Sequence, residues 1–214
     1  MTKDQNALWK NLSKDNRYEI NRAGKRDYII YEFLDYIDIS ILNEFINFYN
    51  VFASQQGLKT IDKPRLTSYL EAGVLNLSRV KLNDGKVLVW HAYYCSQSRA
   101  FLLHSVSHRK SSNPSFNYLI GRANRYHHWQ DILKFKELGI LTYDFGGWYP
   151  GKLDKKRLSI NRFKEEFGGE IVRNFNCRCG FSLKGKLFLL ARNTAVILLD
   201  AMENAKHRLR KASY

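Results

Sequence analysis

Apolar side chains recur along this chain with two periods. Residues 28–36, Tyr-Ile-Ile-Tyr-Glu-Phe-Leu-Asp-Tyr, are β-branched and aromatic, which suits a strand. Asp38-Ile39-Ser40 then offers a capping oxygen, and Ile41, Leu42, Phe45, Phe48, Tyr49 and Phe52 recur at three- and four-residue steps up to Gly57. That spacing predicts an amphipathic helix, and residues 64–72 predict a shorter one ending at Gly73. Three strand-like runs come next, over 75–82, 87–95 and 99–107, separated by Asn83-Asp84-Gly85 and Ser96-Gln97-Ser98. Asp-Gly between such runs signals a hairpin, so the three are expected as an antiparallel meander.

Beyond Pro114 the helical period returns. Leu119, Ala123, Tyr126 and Leu133 predict a long helix over 115–138 that stops at Gly139. Residues 140–145 read as a buried strand broken by Gly146-Gly147. Residues 155–167 read as an amphipathic helix with Ile160, Phe163 and Phe167 inward, 170–175 as extended chain, and 187 to about 209 as a final helix. No repeat and no long linker divides the series. The fold class it implies is α+β, a mixed central sheet flanked by helices. The expected organisation is an N-terminal extension over 1–15, one domain over 16–186, and a basic amphipathic helix over 187–214 packed on the domain or at an interface.

Composition narrows the setting. The chain has 214 residues, 44% hydrophobic and 14% aromatic, far from the composition of disordered chains. Residues 1–11 are polar, and no apolar run reaches the length of a spanning helix, so a soluble, cytoplasmic protein is expected. Cys95, Cys177 and Cys179 are too few for a disulfide scaffold and are expected as reduced thiols. A formal net charge of +15 favours anionic partners: nucleic acid, phosphate-bearing cofactors or anionic lipid. The densest basic stretches, 152–157 and 206–211, read as solvated faces.

Three stretches could carry chemistry. Arg109, Lys110, Ser111, Ser112, Asn113 and Ser115 lie between a strand and the start of the long helix, where free amides and two cations could hold a pyrophosphate; a plain polar loop with a helix cap is the alternative. Tyr143-Asp144-Phe145-Gly146-Gly147-Trp148 puts a carboxylate at a strand's carboxyl end, either to orient a reacting amine or to cap the next turn. Lys164, with Asn161 nearby, sits at the edge of a helix's apolar face, where its ammonium could meet a developing oxyanion.

Arg122-Ala123-Asn124 through His128-Trp129, residues 136–139, Tyr143-Asp144-Phe145-Gly146-Gly147, and Phe163-Lys164 with Phe167-Gly168-Gly169 together resemble the Fem family of aminoacyltransferases. The basic stretch over 16–26 resembles the opening of that family's transferase domain. Fem proteins build the interpeptide bridges of peptidoglycan and share the fold of the GCN5-related N-acetyltransferases, so the resemblance implies that fold and an acyl transfer. A chain of this length holds one such domain, where Fem proteins generally carry two.

On that resemblance Lys164 would stabilise the oxyanion or the donor phosphate, and Asp144 would orient the acceptor amine or accept its proton. His104 and His128 are reserve bases, because imidazole titrates near the working pH. Phe163, Asn161, Tyr143, Trp148 and Asn124 form the expected substrate-binding set. The donor would be acyl-CoA or aminoacyl-tRNA. The acceptor would be an envelope glycan or peptide precursor, which could be lipid-linked, reached from the inner face of the cell membrane; anionic membrane contact and a homodimer are alternative uses of the final helix. No metal is expected: Cys177-Arg178-Cys179 lacks a second pair, and His127 and His128 are adjacent on one helix. A non-catalytic RNA- or tRNA-binding module on the same fold is the competing reading.

Overall fold

A computed structural model describes residues 1–108, 113–175, 177, 179–192, 194 and 195. They fall into two units, Met1–Glu170 and Ile171–Tyr214. The first unit is α+β. Its elements run α1 (Gln5–Asn11), α2 (Lys14–Lys25), β1 (Ile30–Phe33), α3 (Ile39–Gln56), α4 (Lys63–Glu71), β2 (Leu75–Lys81), β3 (Val87–Cys95), β4 (Arg99–Ser107), α5 (Pro114–Glu137), β5 (Thr142–Asp144) and α6 (Lys155–Glu165). In the second unit residues 183–192 are helical. The final helix expected from 187 therefore begins earlier, and its expected continuation to 209, with the basic stretch 206–211, lies outside the described residues.

The five strands form one sheet in sequence order, antiparallel from β1 to β4, with β5 parallel to β4. Alternation splits its residues between two faces. Leu75, Leu77, Trp90, Ala92 and Val106 join Leu42, Phe45 and Ile46 of α3 and Leu66 of α4. Val80, Leu88 and Val89 face the opposite layer, with Ala23 of α2 and Ile120 and Ala123 of α5.

Local chemistry accounts for the helix ends. Asp38, Asp62, Asn113 and Asp154 each accept an amide of the following first turn, capping α3, α4, α5 and α6. At the β2–β3 hairpin Asp84 accepts the Lys86 amide at 2.9 Å.

Two expectations need correction, the buried strand at 140–145 and the inward placement of Ile160. The strand placed at 140–145 is not a buried strand: β5 spans three residues and is partly exposed, because it is a sheet edge. Residues 171–175 form no strand. Ile160, expected inward, is 47% exposed, and the buried residue of α6 is Asn161. Residues 1–15 hold α1 and the start of α2, whose Leu8, Trp9 and Leu12 pack with Trp129 and Phe167.

Candidate functional site

β4 and β5 run together only briefly. Arg99, Ala100 and Phe101 pair with Thr142, Tyr143 and Asp144; β4 continues to Ser107 paired with β3 only, while the chain leaves the β4–β5 ladder after Asp144. At the point of divergence β4 carries a bulge: Ala92 pairs with His104 and Tyr93 with Leu102, leaving Leu103 without a register partner in β3. Bulges break the ladder and redirect backbone polar groups, and they are frequent beside active sites. The ladder thus ends in a wedge between the edge of β4 beyond Phe101 and the departing chain; at the far end of β4 His108 packs against Phe116 in the first turn of α5.

The loop at the mouth of this wedge is held from both sides. Asp144 Oδ1 accepts the Gly146 amide at 2.8 Å, and its other oxygen lies 3.5 Å from Arg99 Nε. Lys164 Nζ donates to the carbonyls of Gly146 at 3.3 Å and Gly147 at 2.6 Å. Gly146 has φ +75°, and a Cβ there would sit 3.5 Å from the Leu102 carbonyl, so the loop returns close to β4. Both sequence-derived candidates thus meet on one four-residue loop. Burial lowers the Lys164 pKa, and the Asp144 charge partly offsets this. An ammonium has three N–H donors, so the two loop bonds leave one for an incoming oxygen.

His128 lies behind this loop in an aromatic cage. Its ring is 5.1 Å from that of Phe145, 5.4 Å from Phe163 and 5.6 Å from Phe167, and its Nδ1 is 2.6 Å from the Tyr143 hydroxyl. Burial, then the positive charge of its neighbours, holds the imidazole well below its ordinary range, so it is neutral. On the outer side Asn161 clamps the loop's continuation: its Nδ2 donates to the Tyr149 carbonyl at 2.8 Å and its Oδ1 accepts the Tyr149 amide at 3.1 Å. Gly147, Trp148, Tyr149, Arg157, Ile160 and Asn161 line an open groove of about 280 Å³.

A buried polar network lies under α5. Asp131 Oδ1 accepts the Tyr31 hydroxyl at 2.9 Å, and Oδ2 accepts Tyr93 at 2.6 Å and His91 Nδ1 at 2.7 Å. His91 Nε2 lies 3.1 Å from Asn124 Oδ1, and His127 Nε2 lies 2.8 Å from the Ser78 hydroxyl. Tyr93 also meets the Tyr143 hydroxyl at 2.7 Å, which links this network to the wedge. Burial first, and the Asp131 charge second, hold the phenols of Tyr31, Tyr93 and Tyr143 far above the ordinary range.

His91, His127 and Asp131 are close enough together to suggest a metal site. The rings of His91 and His127 stack face to face at 3.7 Å, within 4° of parallel, and Asp131 Oδ2 lies 2.7 Å from His91 Nδ1 and 3.5 Å from His127 Nε2. Their bonded nitrogens are taken by Asp131, Asn124 and Ser78. This is the geometry of a hydrogen-bonded core, with His127 Nδ1 left as a buried unpartnered atom.

Of the sequence-derived residues, the fold gathers Lys164, Asp144, Tyr143, His128, Phe163, Asn161 and Trp148 around the loop, and places Asn124 in the adjoining network. It does not bring His104 there. His104 points to the other face of the sheet, against Tyr49 at 4.8 Å and Phe45 at 6.3 Å, where burial and then Arg65 hold its pKa at about 4. Arg109, Lys110, Ser111 and Ser112 lie outside the described residues. Asn113 is the helix cap, its Oδ1 accepting the Ser115 amide at 2.9 Å.

The sequence reading missed Tyr31, His91, Tyr93 and Asp131. One signal was present: Asn124, His127, His128 and Asp131 recur at three- and four-residue steps, a polar stripe on a helix that must cover a sheet. A lone histidine inside the apolar run of β3 was its partner. The adjacency of His127 and His128 misled, since the His91 ring lies against both, at 3.7 and 4.2 Å.

No family model and no curated protein matches the sequence. Solved structures do match. The structure of FemX superposes with a TM-score of 0.61 at 18% identity over 78% of this chain and 56% of that one. An aminoglycoside acetyltransferase from an uncultured soil metagenomic sample gives 0.49 at 13% identity over 72% and 98%, and the ribosomal-protein-alanine N-acetyltransferase of Brucella melitensis biovar Abortus 2308 gives 0.44 at 12% over 71% and 99%. The chain spans just over half the length of the FemX structure. At such identities the likeness is one of fold alone, the α+β fold that this chain shares with the FemX structure.

Proposed function

We propose that this chain is an N-acyltransferase that moves an acyl or aminoacyl group from an activated carrier to an amine of a cell-envelope precursor, either a surface-polysaccharide amino sugar or a peptidoglycan peptide. The observation that carries the reading is the wedge between β4 and β5, with the unpaired Leu103 on one wall and the loop held by Lys164 and Asp144 at its mouth. Acyl transfer asks for an aligned carbonyl, a neutral amine and donors where the tetrahedral oxyanion forms. In this reading the carrier's acyl arm enters the wedge and the bulge presents backbone N–H groups to the carbonyl. The third N–H of Lys164 meets the oxyanion or a donor phosphate, and the Asp144 oxygen facing Arg99 orients the amine. The groove of Trp148, Tyr149 and Arg157 receives the rest of the acceptor, aromatic faces suiting a sugar and the guanidinium an anionic group.

The donor is an acyl-CoA thioester or an aminoacyl-tRNA ester. Purified protein is to be assayed with acetyl-CoA and with alanyl-tRNA against amino-sugar and peptidoglycan-peptide acceptors. Lys164→Ala and Asp144→Asn should each lose at least 100-fold in rate, the scale of one oxyanion donor, with circular dichroism unchanged. Wild-type turnover in both variants would remove the site assignment. The charge of +15 favours one other reading, an RNA- or tRNA-binding module without turnover. Steep salt dependence of RNA binding, with no transfer from either donor, would select it.

A further inference from the structure

The short strand β5 carries the wall of the wedge, yet its backbone pairs with β4 over only three residues, and the approach to it adds two amides, Leu141 and Thr142, both donating to Ser98. Something else must hold it. The hydrogen-bond directions of the buried network show what. A carboxylate only accepts, so Tyr93 spends its one hydroxyl hydrogen on Asp131 Oδ2 at 2.6 Å. The Tyr93 oxygen therefore accepts from the Tyr143 hydroxyl at 2.7 Å, and the Tyr143 oxygen in turn accepts from His128 Nδ1–H at 2.6 Å. Every hydrogen in the chain His128, Tyr143, Tyr93, Asp131 is committed in one direction. It starts on α5, crosses the side chain of β5, and returns through β3 to α5.

Asp131 is fixed at the far end by Tyr31 of β1 and His91 of β3, so the chain terminates on a group that cannot turn. Tyr143 is thus the middle of a bridge tied at both ends to the domain's most buried layer.

We propose that Asp131, acting through Tyr93 and Tyr143, is a positioning residue that latches β5 and sets the opening of the β4–β5 wedge. This inference rests on the wedge being the donor site. Tyr143 then serves as an anchor rather than a proton donor, since its hydrogen points inward to Tyr93. The latch keeps the Asp144–Gly147 loop, and with it the Lys164 contacts, at a fixed distance from the bulge at Leu103.

The test uses Tyr143→Phe, which deletes both of its bonds and keeps the ring, and Tyr93→Phe, which deletes the bonds to Asp131 and to Tyr143 while leaving the His128–Tyr143 pair in place. Hydrogen exchange is read at the amides of Thr142, Tyr143 and Asp144, with Leu77 and Trp90 as internal controls. Binding and transfer are read with acetyl-CoA and alanyl-tRNA. In Tyr143→Phe the β5 amides should exchange about tenfold faster with the controls unchanged, and the donor KM should rise by a similar factor while kcat falls less than twofold. In Tyr93→Phe the Tyr143 hydroxyl should turn to donate to His128, so ¹⁵N spectra of His128 should shift from the Nδ1–H to the Nε2–H tautomer. That readout stands if Tyr143→Phe does not fold. Unchanged β5 exchange, or an unchanged His128 tautomer, would overturn the latch. Faster exchange with unaltered donor KM would overturn its control of the wedge. Faster exchange in a protein that binds neither donor even as wild type would instead contradict the transferase reading, and the positioning claim with it, while the latch itself stands.

Discussion

His104 offers the cleanest separation of stability from chemistry. A histidine in the third strand of a meander reads as a reserve base, but it lies against Phe45 and Tyr49 of α3, on the face away from the wedge. Burial, and next the charge of Arg65, depress its pKa from 6.5 to about 4. A base depressed in the folded state leaves stability untouched above pH 6.5. As the pH falls from there to about 4 the unfolded chain gains a proton that the folded one refuses, so stability is lost across that window. Between pH 7.5 and pH 5 the loss is about 2 kcal/mol, an upper figure because part of the ring meets solvent. His127 and His128 are depressed in the same direction, so the wild type as a whole loses more. The difference between wild type and His104→Leu isolates this one site. Urea unfolding at pH 7.5 and pH 5 should show the variant losing less than wild type, by up to about 2 kcal/mol, with transfer activity at pH 7.5 retained. Equal acid losses in the two proteins would refute the burial argument, and loss of transfer at pH 7.5 in a folded variant would return His104 to the chemistry.

The joints around the loop yield two further outcomes. Gly168 has φ +69°, and a Cβ there would collide with the Asn11 backbone at the end of α1, so Gly168→Ala should cost about 3 kcal/mol and lower Tm by roughly 6–12 °C; an unchanged Tm by calorimetry would contradict the tight α1–α6 corner. Asn161→Ala removes both bonds to Tyr149, and local opening made easier by about 2 kcal/mol should speed exchange of the Tyr149 amide about 30-fold. Asn161→Asp keeps the acceptor and should show a smaller effect; equal exchange in all three proteins would mean the groove is held by something else.

The elements with a strong period were legible from sequence alone. α3, β3, β4 and the β2–β3 hairpin lie where their apolar spacing and turn residues put them, each supplying buried apolar side chains to the core. Elements that depend on partners were not. α2 buries only Asn16, Ile20 and Ala23, and α1 buries none of its residues, so neither has an apolar stripe broad enough to stand out. β5 is short because the chain beyond Asp144 is shaped by a side-chain turn and by a lysine from a distant helix, which no local period records. The candidate site divides in the same way. Lys164 and Asp144 were found through motif and spacing, and their meeting on one loop is a tertiary fact. The Asp131 network was hidden because its members come from five elements: β1, β2, β3 and β5 each contribute one or two polar side chains, and these meet the polar stripe Asn124, His127, His128 and Asp131 of α5 only in the folded chain.

The central claim is that the activated carrier sits in the wedge. The most direct measurement is an amide footprint: hydrogen exchange of the full chain with and without saturating acetyl-CoA or alanyl-tRNA. Protection should appear in Leu102–Ser107 of β4, in the first turn of α5 and in Asp144–Gly147, and nowhere on α3. Protection on the α3 face, or none in the wedge while a donor is demonstrably bound, would contradict the account.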